Sequence, residues 1–178
     1  MKCKKLIACF KELDLKIDIE LFEDRVLAQK VACLLQLKGI KLGYDFGLYV
    51  RGPYSPALTQ DLYRYNADFK CFKTDVKLTK GERAISEGLR TVLGFSPTIL
   101  EIGATYGYFN MIEGLDPVES QRRVKRMKPF FSDAQMAIGI SKAKQFLFEP
   151  TQGQMQELKK ELAVWQNVAM SSLGRSKE

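Results

Sequence analysis

LGYDFGLYVRGPYSP, running from Leu42 to Pro56, brings four aromatic residues, an arginine and a Gly-Pro step into a chain that otherwise reads as helices. Tyr44, Phe46, Leu48 and Val50 alternate with Asp45, Gly47 and Tyr49, the period of two that a half-buried strand shows. Gly52-Pro53 sets a turn. Ser55-Pro56 then opens a helix, with serine at the N-cap and proline at the first helical position, where its missing N–H is harmless. One short strand needs a partner, and Phe72 to Leu78, FKTDVKL, repeats the alternation through Phe72, Thr74, Val76 and Leu78. The spacing predicts a two-stranded ribbon, residues 44–50 with 72–78, laid on helices.

The flanks on both sides are helical. Leu6, Ile7, Phe10 and Leu13 form one apolar stripe with lysines opposite. Leu27, Val31, Leu34 and Leu35 follow the i, i+4, i+7, i+8 spacing in a helix from about Glu20 to Lys38, which Gly39 ends. After the helix from Ser55 to about Tyr65, Thr79 with Glu82 makes a capping box, and Ser96-Pro97 starts a helix through about Ile112. That helix is apolar around most of its circumference, through Ile99, Leu100, Ile102, Tyr106 and Phe109, and is expected to be the central element. Asp116 with Glu119, Ser132 with Gln135 and Thr151 with Gln154 mark three further starts. The reading is a mainly α single domain over residues 1–173, of seven or eight helices with a small ribbon. A C-terminal helix over 152–172 carries a heptad-like seam (Met155, Leu158, Leu162, Trp165, Ala169) suited to docking or homodimerisation, and 174–178 reads as a disordered tail.

Composition narrows the chemistry. At 178 residues and 46% apolar content the chain can fill one core. It has no histidine, which removes Ser-His and Cys-His catalysis and His-ligated metals. Cys3, Cys9, Cys33 and Cys71 lack the close pairing of zinc or redox motifs and read as small buried hydrophobes in a reducing compartment. No catalytic residue, metal or cofactor is expected. No apolar run approaches the roughly 20 residues that span a bilayer, so a soluble, cytoplasmic protein is expected. The net charge of +7 gathers in one place, Arg122, Arg123, Lys125, Arg126 and Lys128.

From Phe22 to Leu62 the chain reads FEDRVLAQKVACLLQLKGIKLGYDFGLYVRGPYSPALTQDL. The ordered set of Arg25, Gln29-Lys30, Gly39 and Arg51-Gly52-Pro53-Tyr54-Ser55 resembles the SocA-like antitoxin domain, also called the Panacea domain, and its YwgA-type relatives. A looser likeness continues through LEIGATYGYF and VKRMKPFF; Cys33 departs from it, since the family often has an aromatic there. The resemblance implies a helical protein without a catalytic role that binds another protein, neutralising a toxin or delivering it for proteolysis.

Physically, Gly52, Pro53 and Pro56 form a rigid corner that holds Arg51 and Tyr54 with little freedom left to lose. Tyr44, Tyr49, Arg51, Tyr54 and Ser55 are therefore the candidate partner-binding residues, since Tyr and Arg dominate binding hot spots. The competing reading is a packing corner, with Arg51 paired to a carboxylate and the tyrosines half buried. Glu101, the lone charge in its helix, is either a functional acid or paired with an arginine such as Arg25 or Arg51. The basic run over 117–128 is either a solvated face or a grip for phosphates or an acidic partner. With the order helix, strand, helix, strand before LTKGERAI, which resembles the wing of a winged helix, it makes a nucleic-acid-binding regulator the alternative function. The helix after Ser55 carries only Arg64 beside Asp61, which weakens groove reading.

Overall fold

In the computed structural model, which describes residues 2–149 and 155–156, every helix start that polar caps predict within that range is present. α1 (Lys2–Leu13) buries Leu6, Ile7, Phe10 and Leu13 along its predicted stripe. α2 (Phe22–Leu37) buries Val31, Leu34 and Leu35, and the chain leaves it through Gly39 at φ 120°. α3 (Pro56–Arg64) is capped by the Ser55 hydroxyl, and a short α4 (Asn66–Lys70) follows. α5 (Lys80–Val92) and α8 (Asp133–Phe148) each carry the full reciprocal capping box, Thr79 with Glu82 and Ser132 with Gln135. Asp116 caps α7 (Pro117–Met127) by accepting from the amides of Val118 and Glu119. Among the described residues the result is a mainly α domain of eight α-helices and one antiparallel ribbon.

α6 (Pro97–Gly107), extended by one π-turn over Tyr108–Ile112, is the central element, buried continuously from Leu100 to Gly107. Leu100 and Ala104 face a large core shared with α1, α2 and α5, while Ile102, Tyr106 and Phe109 face a second cluster with Val124, Met136 and Ile140. Small residues allow the close approach of α8: a Cβ on Gly139 would lie 2.7 Å from Ile102 Cγ2. Among the described residues no helix is long and apolar enough to cross a membrane. The Thr151 start, the seam over 152–172 and the 174–178 tail lie outside the described residues.

The ribbon is where the expected pairing gives way. β1 (Gly47–Tyr49) pairs with β2 (Gly52–Tyr54), in the register Gly47↔Tyr54, Leu48↔Pro53 and Tyr49↔Gly52. Gly52 at φ 85° lets the chain reverse over Val50 and Arg51 alone, so β1 finds its partner at once. Residues 72–78 form no strand. They run extended over the core, with Val76 partly buried and Leu78 buried, and are tied to α1 by Thr74 Oγ1 donating to the Lys4 carbonyl and by a Lys4–Asp75 ion pair at 2.8 Å. The ribbon therefore precedes α3 instead of flanking it, which removes the winged-helix order. Val50, placed on the inward stripe by alternation, sits at the hairpin tip at 86% exposure. Cys3, Cys9 and Cys33 are buried as expected, but Cys71 is exposed at the end of α4.

Candidate functional site

A hairpin of two three-residue strands satisfies few of its own backbone groups, and side chains from neighbouring helices supply the rest. The Gln29 carboxamide, from the middle of α2, accepts from Ser55 N at 2.9 Å and donates to Ser55 O at 3.0 Å, as a third strand would. One turn position on, Lys30 Nζ donates to the Pro53 carbonyl at 2.7 Å. Lys128, the residue that ends α7, donates to the Val50 carbonyl at 2.7 Å. Thr105 of α6 lies directly beneath Gly52, where a Cβ would come within 2.3 Å of its Oγ1. Both sides of the two-residue turn are thus clamped from below.

The same groups make a buried charge cluster. Glu101 accepts from Lys128 Nζ at 2.5 Å through one carboxylate oxygen and from Arg51 at 3.4 Å through the other. Lys128 is fully buried, Glu101 is 3% exposed, and the Arg51 side chain is half exposed. The expected Glu101–Arg51 pair is present, but Arg25 serves elsewhere, donating to the carbonyls of Ile19 and Glu20. Burial holds the Lys128 ammonium below the usual lysine range, against the pull of Glu101. Burial likewise pushes the Lys30 ammonium down to about 8, helped by Lys128 and Arg51 and opposed by Cys33 and Glu101.

That shift has a measurable consequence. The folded-state pKa of Lys30 lies below its unfolded value, so the unfolded chain holds more protons between about pH 8 and 10.5. The penalty is complete below pH 8 and is relieved as pH rises through that window. Cys9 and Cys33, pushed up to about 12 by burial, act in the opposite sense above pH 9. Comparison with Lys30→Met isolates the lysine: the wild type should gain roughly 1 kcal/mol on the variant between pH 7 and pH 9 in urea unfolding. Parallel pH profiles for the two proteins would show that Lys30 stays fully charged in the fold.

Above the clamp lies a groove of about 360 Å³ between the start of α2, the hairpin and α3. Phe22, half exposed, stands between two guanidiniums, Arg25 at 5.6 Å and Arg51 at 5.7 Å from its ring centre. Tyr49 and Tyr54 meet edge to face at 5.1 Å on the hairpin, and Tyr63 of α3 is exposed on the far side. Lys30 reaches the floor.

Of the candidate contact residues, Tyr49, Arg51 and Tyr54 come together at this groove. Tyr44 does not: it is buried, its hydroxyl donating to Asp61 at 2.9 Å and its backbone held by Gln36. Ser55 is also buried, as a cap bonded to Gln29, so both are structural and present nothing to a partner. Gly52, Pro53 and Pro56 form the corner as expected, with Gly52 and Pro53 inside β2. Phe22, Lys30 and Tyr63 complete the groove without having been singled out as contacts. Phe22, Val26, Gln29 and Lys30 do recur at i, i+4, i+7, i+8, but a lysine on such a stripe reads as solvated until the hairpin covers it.

The basic cluster is smaller than its sequence suggests. Arg122, Arg123 and Arg126 all converge on Glu119, at 3.8, 3.1 and 3.2 Å, and Lys125 pairs with Asp133 at 2.7 Å. Lys128 leaves the patch altogether, because its turn out of α7 carries it under the hairpin. Among the described residues no group of three or more Cys, Asp or Glu side chains is placed to hold a metal ion. Comparison of the chain with family models, curated proteins and solved structures finds no match.

Proposed function

We propose that this chain is a non-enzymatic protein-binding module, of the kind its resemblance to SocA-like antitoxins and adaptors implies, and that it meets its partner through the 47–54 hairpin and the groove beside it. One observation carries the reading: Tyr49 and Val50 are 53% and 86% exposed on a hairpin whose backbone is bonded by Lys30 of α2 and by Lys128 and rests on Thr105 of α6. Large apolar side chains held out to solvent on a rigid support lose little entropy on binding. Arg51 combines both earlier readings of the corner, since it is paired with Glu101 yet half exposed.

Co-purification with the product of an adjacent gene tests this directly. Tyr49→Ala with Arg51→Ala should abolish the complex while leaving the unfolding transition in place, because Lys128 still neutralises Glu101. A complex that survives both substitutions removes the hairpin as the contact. Binding of duplex or single-stranded nucleic acid with a steep salt dependence, lost on Arg122→Ala with Arg126→Ala, would favour the regulator reading instead.

A further inference from the structure

We propose that the groove takes an acidic segment of the protein partner, with one carboxylate seated between Lys30 and Arg51 and a neighbouring apolar side chain against Phe22 and Tyr63. This rests on the protein-binding reading above and names the chemistry of the partner.

The argument is one of charge balance in a buried place. Lys30 is 2% exposed, makes one hydrogen bond, to a neutral carbonyl, and forms no ion pair among the described residues. A buried ammonium without a counterion is costly, and a nearby anion is the remedy. The nearest acid, Glu101, is shared already, one oxygen with Lys128 and the other with Arg51, and makes no ion pair with Lys30. Three cations, Arg25, Lys30 and Arg51, line the groove, and no carboxylate does. Beneath the hairpin, Lys30, Arg51 and Lys128 share the single acid Glu101. Cys33, the other titratable neighbour of Lys30, is neutral at physiological pH because burial pushes its thiol up to about 12.

The walls select what accompanies the anion. Phe22, Tyr49, Tyr54 and Tyr63 line the groove together with the cations, so it is an aromatic-walled groove and not a basic stripe of the kind that tracks a phosphate backbone. At about 360 Å³ it lies near the lower end of ligand pockets, roughly 300–1,000 Å³, and suits a few side chains of an extended segment. Arg122 and Lys125 of the basic cluster line a different groove, between α7 and α8.

Random peptides displayed on phage and selected on the immobilised full chain supply the probe. The expected consensus pairs Asp or Glu with an adjacent aromatic or aliphatic residue. Exchanging that acid for its amide in a synthetic, fluorescein-labelled peptide should weaken binding ten- to a hundredfold, as should Lys30→Met or Arg51→Ala, whereas Arg122→Ala should not. The peptide-side exchange leaves the protein's fold untouched, so the test survives if Lys30→Met fails to fold. Calorimetry at pH 8 in two buffers of different ionisation enthalpy should show uptake of about half a proton per peptide as Lys30 regains its charge. Peptides that need Tyr49 but are indifferent to the acid overturn the carboxylate while leaving the protein-binding reading intact. The same holds if no peptide is recovered although the adjacent-gene complex forms. An oligonucleotide that binds in a Lys30-dependent way overturns both.

Discussion

Lys128→Met is expected to lower the unfolding free energy by about 3–5 kcal/mol, the cost of leaving one member of a buried ion pair alone. The physical situation is severe at this site. Lys128 is fully buried, holds Glu101 at 2.5 Å, and also satisfies the Val50 carbonyl at 2.7 Å. Methionine matches the length of the stem but supplies no proton to either acceptor. Glu101 keeps only the longer, half-exposed contact with Arg51. Removing both charges together, in Glu101→Leu with Lys128→Met, should recover most of the loss, because a buried pair replaced by packed apolar side chains is close to neutral. The remaining deficit belongs to the Val50 carbonyl, which stays without its donor. Denaturant unfolding of the three variants measures each part. A single variant as stable as the wild type would mean that the two charges are hydrated and contribute nothing to holding the hairpin.

Gly52→Ala should cost about 2–4 kcal/mol, from two separable sources. The backbone at Gly52 lies at φ 85°, a region that side-chain-bearing residues rarely adopt. The added methyl would also meet Thr105 Oγ1 at 2.3 Å, and that hydroxyl is fixed by its bond to the Glu101 carbonyl at 2.7 Å. Thr105→Ala in the same chain removes the overlap but not the dihedral strain, so the double variant should regain part of the loss and no more. Binding should fall further than stability, because the turn carrying Tyr49, Val50 and Arg51 would lift off its support. Equal losses in the single and double variants would show that the overlap is relieved by motion of α6 and that backbone conformation alone sets the cost.

Both predictions concern contacts that short-range patterns could not reveal. The ribbon is instructive. Alternation in Tyr44–Val50 and in Phe72–Leu78 was equally good, yet period-two spacing describes an extended chain, not its hydrogen-bond partner. Residues 72–78 satisfy the same pattern by lying over the core beside α1. What distinguishes the true pairing is the left-handed conformation at Gly52, which makes a two-residue reversal possible; Gly-Pro read as a corner hid the second strand that begins there. The basic run shows the reverse problem. Five cations close in sequence read as one patch, but the chain leaves α7 at Lys128 and turns the last of them inward.

Helix starts, by contrast, were legible residue by residue. A cap is a bond between a side chain and an amide two or three positions away, so Ser55, Thr79, Asp116 and Ser132 carry their whole signal within one turn. The apolar circumference of Pro97–Gly107 announced a central helix for a related reason, since burial on all sides leaves no face for charge. Even there Glu101 could be paired only by class of partner. Its ligands come from 50 residues before it and 27 after it, separations at which only packing decides who meets whom. Helix starts, the mainly α class and the absence of histidine chemistry thus follow from local composition. The register of the hairpin, the loss of Lys128 from the surface, and the burial of Lys30 without a counterion follow from how helices stack, because a charge seeks its partner in space and not along the chain.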